Sequence, residues 1–385
     1  MFITSKKHLL FLLLTVIIAS VFFTPLTTFT KSALSNYLYS EPLSSETVQS
    51  EKTKREEALE ELEEDLEDEI EELEEIEEEI EEMSFISKNI VKIVSALEQA
   101  EGAGARVRRS IGTMSVRNFT PFLMLDHFRV TPEAGFPDHP HRGQETITYM
   151  LKGKVDHEDF TGNSGTLEPG DLQFMTAGRG IMHAEMPRIN KTEDGDLDAI
   201  EGLQLWVDLP VELKECEPRY RDLRKDEIPV IHPDPNVEIK VISGKSYGTE
   251  SIKDLAYTPV WFLDMVVKPG GQVTQPIPHG FNTFVYVMDG EIKIGNKTIP
   301  KFTSVFFGEE GDGIELSVDK DAKATARLAV IAGKILHQPI VQHGPFVETS
   351  RDRIYKAFMD YQSKTNGFER AAGWKSKIGR RMLRD

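Results

Sequence analysis

Two short pairs of side chains have the residue types and the spacing of a metal site: His139-x-His141 and His183-x-Glu185. Successive side chains of a β-strand point to opposite faces, so the two members of each pair would share a face and could reach one ion together. Three imidazoles and one carboxylate suit a divalent transition metal. On a six-coordinate ion they would leave two positions for water, oxygen or substrate. The pattern therefore predicts metal ligands at His139, His141, His183 and Glu185.

The sequence between the two pairs can bring them together. The apolar runs 146–151 and 172–175 are typical of β-strands, and several glycines and the turn 168–171 separate them. Turns at these positions would let the chain reverse direction. We therefore expect the four ligands to converge from two strands.

Charge and cysteine content exclude some classes of function. The 385-residue chain has room for two or three domains and a formal net charge of −19. Residues 51–83 hold 20 acidic and three basic residues, a net −17, which leaves −2 for the rest. The remainder is nearly neutral, so no direct nucleic-acid partner is expected. Cys216 is the single cysteine, which excludes an intrachain disulfide or a thiolate metal cluster.

Residues 1–50 are predicted to be a signal or anchor segment and a linker. Lys6 and Lys7 precede an apolar run at 9–23. Fifteen helical residues at about 1.5 Å each fall short of a hydrocarbon core of roughly 30 Å, which favours a cleaved signal peptide. If the apolar segment spans 9–29, it could instead be a retained membrane anchor. Both alternatives predict a membrane-anchored or secretory location.

Residues 51–83 are predicted to form an acidic, coiled-coil-like helix. Apolar side chains alternate spacings of three and four, with one fault near Glu69. Acidic residues four apart repel each other by roughly 0.2–0.5 kcal/mol per pair, so an isolated, solvated helix is one interpretation. The other is a coiled coil that binds a second copy or a basic protein partner. The seam residues are Leu59, Leu62, Leu66, Leu73, Ile76, Ile80 and Met83.

The remaining chain is predicted to be all-β with a helical tail. Residues 87–228 and 229–345 share a pattern of short apolar runs separated by glycine-containing turns. This repetition suggests a duplicated barrel or sandwich. Residues 346–385 form the tail, where Thr349-x-x-Asp352 is a candidate capping box and Gly367 a helix stop. Strands are predicted at 89–97, 122–130, 147–151, 172–175, 203–207, 237–242, 260–267, 282–287, 291–294, 304–307, 314–318 and 326–331.

Long motifs in this part resemble the pirin family of bicupins. They include EGAGARVRRSIG, GFPDHPHRGQET, PGDLQFMTAGRGIMHAEMP and NGFERAAGWKSKIG, and the resemblance covers about 87–380. It implies two tandem cupin domains, with one metal, usually iron as Fe(2+), in the N-terminal cupin domain. The family's ligands fall on His139, His141, His183 and Glu185. The broader cupin pattern offers Glu145 as a rival ligand; we favour Glu185 and place Glu145 in the pocket, outside the ligand set.

The resemblance also implies a function. Quercetin 2,3-dioxygenase activity is attributed to the family, with molecular oxygen and a small aromatic substrate of flavonol type, and Glu185 would then be the catalytic base. An alternative is an iron-dependent redox-sensing coregulator that binds a protein partner in the cytoplasm or nucleus. A third is a membrane-tethered scaffold acting through 51–83. We expect Trp206 and His343 to be packing residues, and no second metal at the lone His279.

Overall fold

The computed structural model describes residues 85–131, 134–188, 200–251 and 256–380. The predictions for 1–50 and 51–83, including the anchor at 9–29 and the coiled coil, lie outside these residues. In the part that is described, no helix has the length and apolarity that a membrane crossing requires. The location and the partners predicted from the N-terminal segments stay predictions.

Strands dominate the described chain, so the all-β prediction is confirmed. The first twelve are β1 (Ile90–Ser95), β2 (Leu97–Glu101), β3 (Ala105–Ile111), β4 (Phe122–Val130), β5 (Phe136–His141), β6 (Gln144–Lys152), β7 (Val155–Asp159), β8 (Ser164–Leu167), β9 (Leu172–Thr176), β10 (Ile181–Pro187), β11 (Ile200–Asp208) and β12 (Arg219–Leu223). The others are β13 (Val230–Asp234), β14 (Val237–Ser243), β15 (Lys245–Ser246), β16 (Thr249–Glu250), β17 (Val260–Val267), β18 (Gln272–Pro276), β19 (Phe281–Asp289), β20 (Glu291–Ile294), β21 (Lys297–Pro300), β22 (Thr303–Phe307), β23 (Gly313–Ser317), β24 (Ala326–Lys334), β25 (Val341–His343) and β26 (Phe346–Glu348).

The described chain folds into two halves: β2 to β12 form the first, and β13 to β24 together with β1 form the second. Each half contains one seven-stranded and one four-stranded antiparallel sheet. The first half has the orders β12-β9-β6-β11-β4-β3-β2 and β5-β10-β7-β8. The second half has the orders β1-β22-β19-β24-β17-β14-β13 and β18-β23-β20-β21. The four-stranded sheets thus repeat one strand order, which agrees with the predicted duplication.

The two large sheets pack against each other through a shared apolar core. That core joins Phe122, Ile147 and Phe174 of the first half to Phe262 and Phe284 of the second. Strand β4 is buried at almost every position, because its two faces meet the interior of its own half and this shared core. A strand covered on both faces can carry apolar residues on both, and the first four residues of β4 are all apolar. This explains why the strand predicted at 122–130 matches β4 in its bounds.

The two ends of the described chain cross between the halves. The predicted strand at 89–97 is divided: β1 pairs with β22 in the second half, whereas β2 pairs with β3 in the first. The C-terminal tail returns to the first half, where the buried ammonium of Lys214 donates to the Val347 carbonyl at 3.2 Å. The same ammonium forms an ion pair with Asp208 at 2.6 Å.

The tail contains the predicted helix, α1 (Arg351–Ser363), with different end residues. Ser350, not Thr349, is the N-cap: its extended backbone lets its hydroxyl accept a hydrogen bond from the Arg353 amide at 3.2 Å. The helix ends before Lys364, which takes the left-handed conformation itself, so Gly367 is not the stop. Short 3-10 turns lie at Val211–Leu213, Lys225–Glu227 and Glu369–Ala371.

Candidate metal centre

The predicted histidines meet across two paired strands. β5 and β10 run antiparallel, and His183 is the direct partner of His139 in the ladder, while His141 is opposite Ile181. The ring centroids are 4.4 Å apart for His139 and His183, 4.9 Å for His139 and His141, and 5.0 Å for His141 and His183. One nitrogen from each ring lies within 4.8 Å of the others. We call these three residues the histidine triad.

Burial keeps His141 and His183 in the form that binds metal. His141 and His183 are each 1% exposed, and this burial lowers the pKa of both well below the ordinary histidine value. The neighbouring imidazoles lower the pKa further, because two adjacent rings cannot both carry a positive charge. Both rings are therefore neutral at neutral pH, and a neutral imidazole has a nitrogen lone pair to donate.

The hydrogen bonds of His139 and His183 direct the Nε2 atoms towards each other. His139 Nδ1 lies 2.9 Å from the Pro137 carbonyl oxygen, which can only accept, so Nδ1 carries the proton. His183 Nδ1 lies 3.5 Å from the hydroxyl of half-buried Tyr220, which in turn bonds to Asp159. The two Nε2 atoms are 2.9 Å apart. An outer partner that fixes the second nitrogen of a histidine is typical of metal sites.

His141 supplies the observation that a metal would fit here. Its Nε2 is fully buried and has no hydrogen-bond partner in the described structure. A buried polar atom without a partner costs free energy, and a metal ion would satisfy this one. The Gln144 amide nitrogen lies 2.6 Å from His141 Nδ1, and the buried Gln144 Oε1 has no partner. With the amide turned by 180°, Oε1 would accept the Nδ1 proton and leave Nε2 free for a metal.

The two carboxylates weighed as a fourth ligand have different surroundings. Glu185 is 8% exposed, and its Oε1 lies 3.2 Å from the Thr148 hydroxyl oxygen; its carboxylate does not join the triad's 4.8 Å group. Glu145 accepts hydrogen bonds from the Thr176 hydroxyl at 2.7 Å and from the amides of Tyr257 and Thr258 at 3.0 and 3.1 Å. Glu145 therefore connects β6 to the second half. Burial raises the pKa of Glu145, although its hydrogen bonds act in the opposite direction.

A cavity of about 1040 Å³ opens beside the triad. Its wall includes His139, His141 and Glu185, and small-molecule sites typically have volumes of roughly 300–1,000 Å³. Apolar side chains form much of the remaining lining. They include Val107, Phe128, Val130 and Phe136. The cavity can therefore admit an aromatic molecule and bring it next to the imidazoles.

Trp206 and Gln204 also line this cavity, although Trp206 was expected only to pack. The Trp206 ring lies edge-on to His141, with centroids 5.0 Å apart and an interplanar angle of 89°. Gln204 accepts a hydrogen bond from Thr148 at 2.7 Å. The two residues are two positions apart on β11, so the same period-two reasoning that paired the histidines could have placed both on the cavity face.

The Pirin family model matches residues 104–207, and the model of the Pirin C-terminal cupin domain matches 262–367. The chain belongs to the pirin family. The two halves are therefore cupin domains. Human Pirin is 45% identical over 299 residues, which cover 76% of this chain and 99% of that protein. A pirin-like protein of Solanum lycopersicum is 45% identical over 291 residues, 75% of this chain and 96% of that protein.

Solved structures give the same fold. A crystal structure of quercetin 2,3-dioxygenase from Acinetobacter baumannii superposes with a TM-score of 0.65 at 27% sequence identity. The match covers 72% of this pirin and 98% of that chain.

Proposed function

We propose that this pirin is a metal-dependent dioxygenase that uses Fe(2+) and molecular oxygen to cleave a small aromatic substrate of flavonol type. The observation that carries the proposal is the unpartnered, buried Nε2 of His141 within a triad that opens onto a large cavity. The likeness to a quercetin 2,3-dioxygenase over nearly that enzyme's whole length supports the choice of substrate.

The triad would hold the iron, through His139, His141 and His183. When bound, the ion supplies Lewis acidity and the redox chemistry that activates oxygen. The apolar side chains of the cavity wall would orient a planar substrate. We assign the fourth ligand position to Glu185, on the same face of β10 as His183.

Glu185 is also the proposed base. The Thr148 hydroxyl has one hydrogen and faces two acceptors, Gln204 Oε1 at 2.7 Å and Glu185 Oε1 at 3.2 Å. Donation to the nearer Gln204 oxygen leaves the Glu185 carboxylate free to accept a proton. A substrate hydroxyl in the cavity can give its proton to this carboxylate and become the anion that coordinates best to a cation.

The test is turnover by iron-loaded protein. The full chain is loaded with Fe(II) without oxygen, quercetin and then oxygen are added, and carbon monoxide and quercetin loss are measured. We expect turnover by the wild type and by the control variant His279→Ala, which changes an exposed histidine of the second cupin domain.

Glu185→Gln keeps the side-chain shape but removes the base. It should lower turnover by roughly 10²–10⁴-fold, the usual contribution of a general base. Equal turnover in Glu185→Gln would exclude the base role. Fully loaded wild-type protein that releases no carbon monoxide would contradict the dioxygenase proposal and favour the redox-sensing alternative.

A further inference from the structure

The chain after α1 crosses the outer face of the sheet that carries the triad. Ser376 is 1% exposed; its hydroxyl donates to Asp138 Oδ1, and its amide donates to Asp138 Oδ2 at 3.2 Å. The Ser376 hydroxyl also accepts a hydrogen bond from the Gly379 amide at 2.9 Å. Asp138 immediately precedes His139 on β5, so its side chain is on the opposite face of the strand from the imidazole.

The next two residues of the tail bind a second strand. The amides of Lys377 and Ile378 donate to Glu158 Oε2 at 2.8 and 3.3 Å. Glu158 lies on β7, opposite Ala184 of β10 in the ladder.

The third strand is contacted through apolar packing. The buried side chain of Ile378 packs against Ala184 and Met186 of β10. These residues alternate with His183 and Glu185, so Ile378 presses on the outer face of the strand whose inner face carries the proposed ligands. The segment 376–379 thus contacts β5, β10 and β7 from outside.

Strand β5 makes few hydrogen bonds within its own sheet. It is an edge strand of its sheet, so β10 is its one neighbour in the ladder. Pro137 and Pro140 lie within it and have no amide hydrogen to donate. The ladder with β10 also changes register between His183 and Glu185. Few backbone hydrogen bonds therefore fix the position of His139.

We propose that residues 376–379 form a strap that positions the histidine triad for metal binding. The inference rests on the metal site of the proposed function. Ser376, Glu158 and Ile378 touch no ligand nitrogen; they act through Asp138 and through the outer face of β10, and are positioning residues. Loss of the strap would let β5 separate from β10, and His139 would move away from His183.

The test removes the Ser376 hydroxyl from the full chain. Wild type and Ser376→Ala are loaded anaerobically with Fe(II) and challenged with ferrozine, which forms a coloured complex with released iron. We expect about 10-fold faster release from Ser376→Ala, the lower end of the 10–100-fold cost of changing a group that orients a metal ligand. Hydrogen exchange of the metal-free chain provides a second readout, with faster exchange in β5 and β10 of the variant. Ser376→Thr, which keeps the hydroxyl, should restore slow release.

Ser350→Ala is the matched control, because it removes a serine hydroxyl bond from the same tail at the N-cap of α1. It should release iron at the wild-type rate and leave exchange in β5 unchanged. Glu158→Ala removes a different strap contact and replaces Ser376→Ala if that variant does not fold. Wild-type release and exchange in the folded strap variant would overturn the proposal. Wild-type protein that binds no iron would defeat the proposed function, while exchange in the metal-free chain would still test the strap.

Discussion

The two cupin domains repeat the strand order of their four-stranded sheets but differ in the residues that fill their interiors. In the first, β5 and β10 carry His139, His141 and His183 towards the interior, beside a cavity of about 1040 Å³. In the second, the equivalent strands β18 and β23 carry Val273, Ile314 and Leu316 into a buried, largely aliphatic core. The same scaffold thus supports either a polar site or an apolar core. The function of each domain depends on the residues at its inward positions and not on the fold.

This contrast predicts that substitutions in the interior of the first domain weaken metal binding, while substitutions in the interior of the second domain lower stability. The largest effect is expected from His183→Ala. It removes one of three imidazoles and leaves a cavity in the triad, so iron should no longer be retained through gel filtration. The matched variant His279→Ala, in the second domain, should keep its iron. Elemental analysis of both proteins checks the prediction, and iron retained by His183→Ala would break the contrast.

Ile314→Ala tests the role of the core of the second cupin domain. Ile314 is fully buried in β23, and truncation of a buried isoleucine to alanine typically costs about 2–5 kcal/mol of unfolding free energy. Chemical denaturation measures this cost, with Val230→Ala, at a site 47% exposed, as the control. Iron affinity of the folded Ile314→Ala protein should equal that of the wild type. A weakened metal site would show that the domains do not divide the two roles.

Tyr220→Phe sharpens the contrast within the first domain. It removes the hydroxyl 3.5 Å from His183 Nδ1 and leaves the ring, so His183 loses a partner that fixes its orientation. Outer partners of this kind are worth roughly 10–100-fold in metal affinity. Competition with a chelator measures the change. Affinity equal to the wild type would mean that the Tyr220 hydroxyl does not orient His183.

The smallest effect is expected from Lys293→Met on the surface of the second domain. Lys293 pairs with Asp319 at 3.0 Å, and both side chains are well exposed to solvent. Exposed ion pairs contribute at most about 1 kcal/mol, because water and salt screen them. Denaturation and chelator competition should both give values close to the wild type. A larger loss of stability would indicate that surface charge, and not the aliphatic core, stabilises this domain.

The sequence predicts that His139 and His141 act together because their spacing is local. His139 and His141 are two residues apart on one strand, and alternation alone places both rings on one face. The bounds of β4 are predicted for a similar reason, since a fully covered strand is apolar at most positions.

Contacts between distant parts of the chain have no such local signal. β1 adds to the second domain through the pairing of Ile90 with Phe307, and nothing near residue 90 specifies that partner. Glu145 is fixed by the amides of Tyr257 and Thr258, more than a hundred residues away. The strap is a third case, because a serine near the C-terminus reveals its role only when the fold places it against Asp138. At the N-cap of α1, Thr349 and Ser350 both carry a hydroxyl, and the extended backbone of Ser350 makes it the cap.

Metal content tests the central claim most directly. The full chain is purified, loaded with Fe(II) without oxygen, freed of unbound iron and analysed for iron per chain, beside the variant in which His139, His141 and His183 are all alanine. The account predicts close to one iron per wild-type chain and none in the folded variant. Equal iron in both proteins, or a folded wild type that holds no iron, would contradict it.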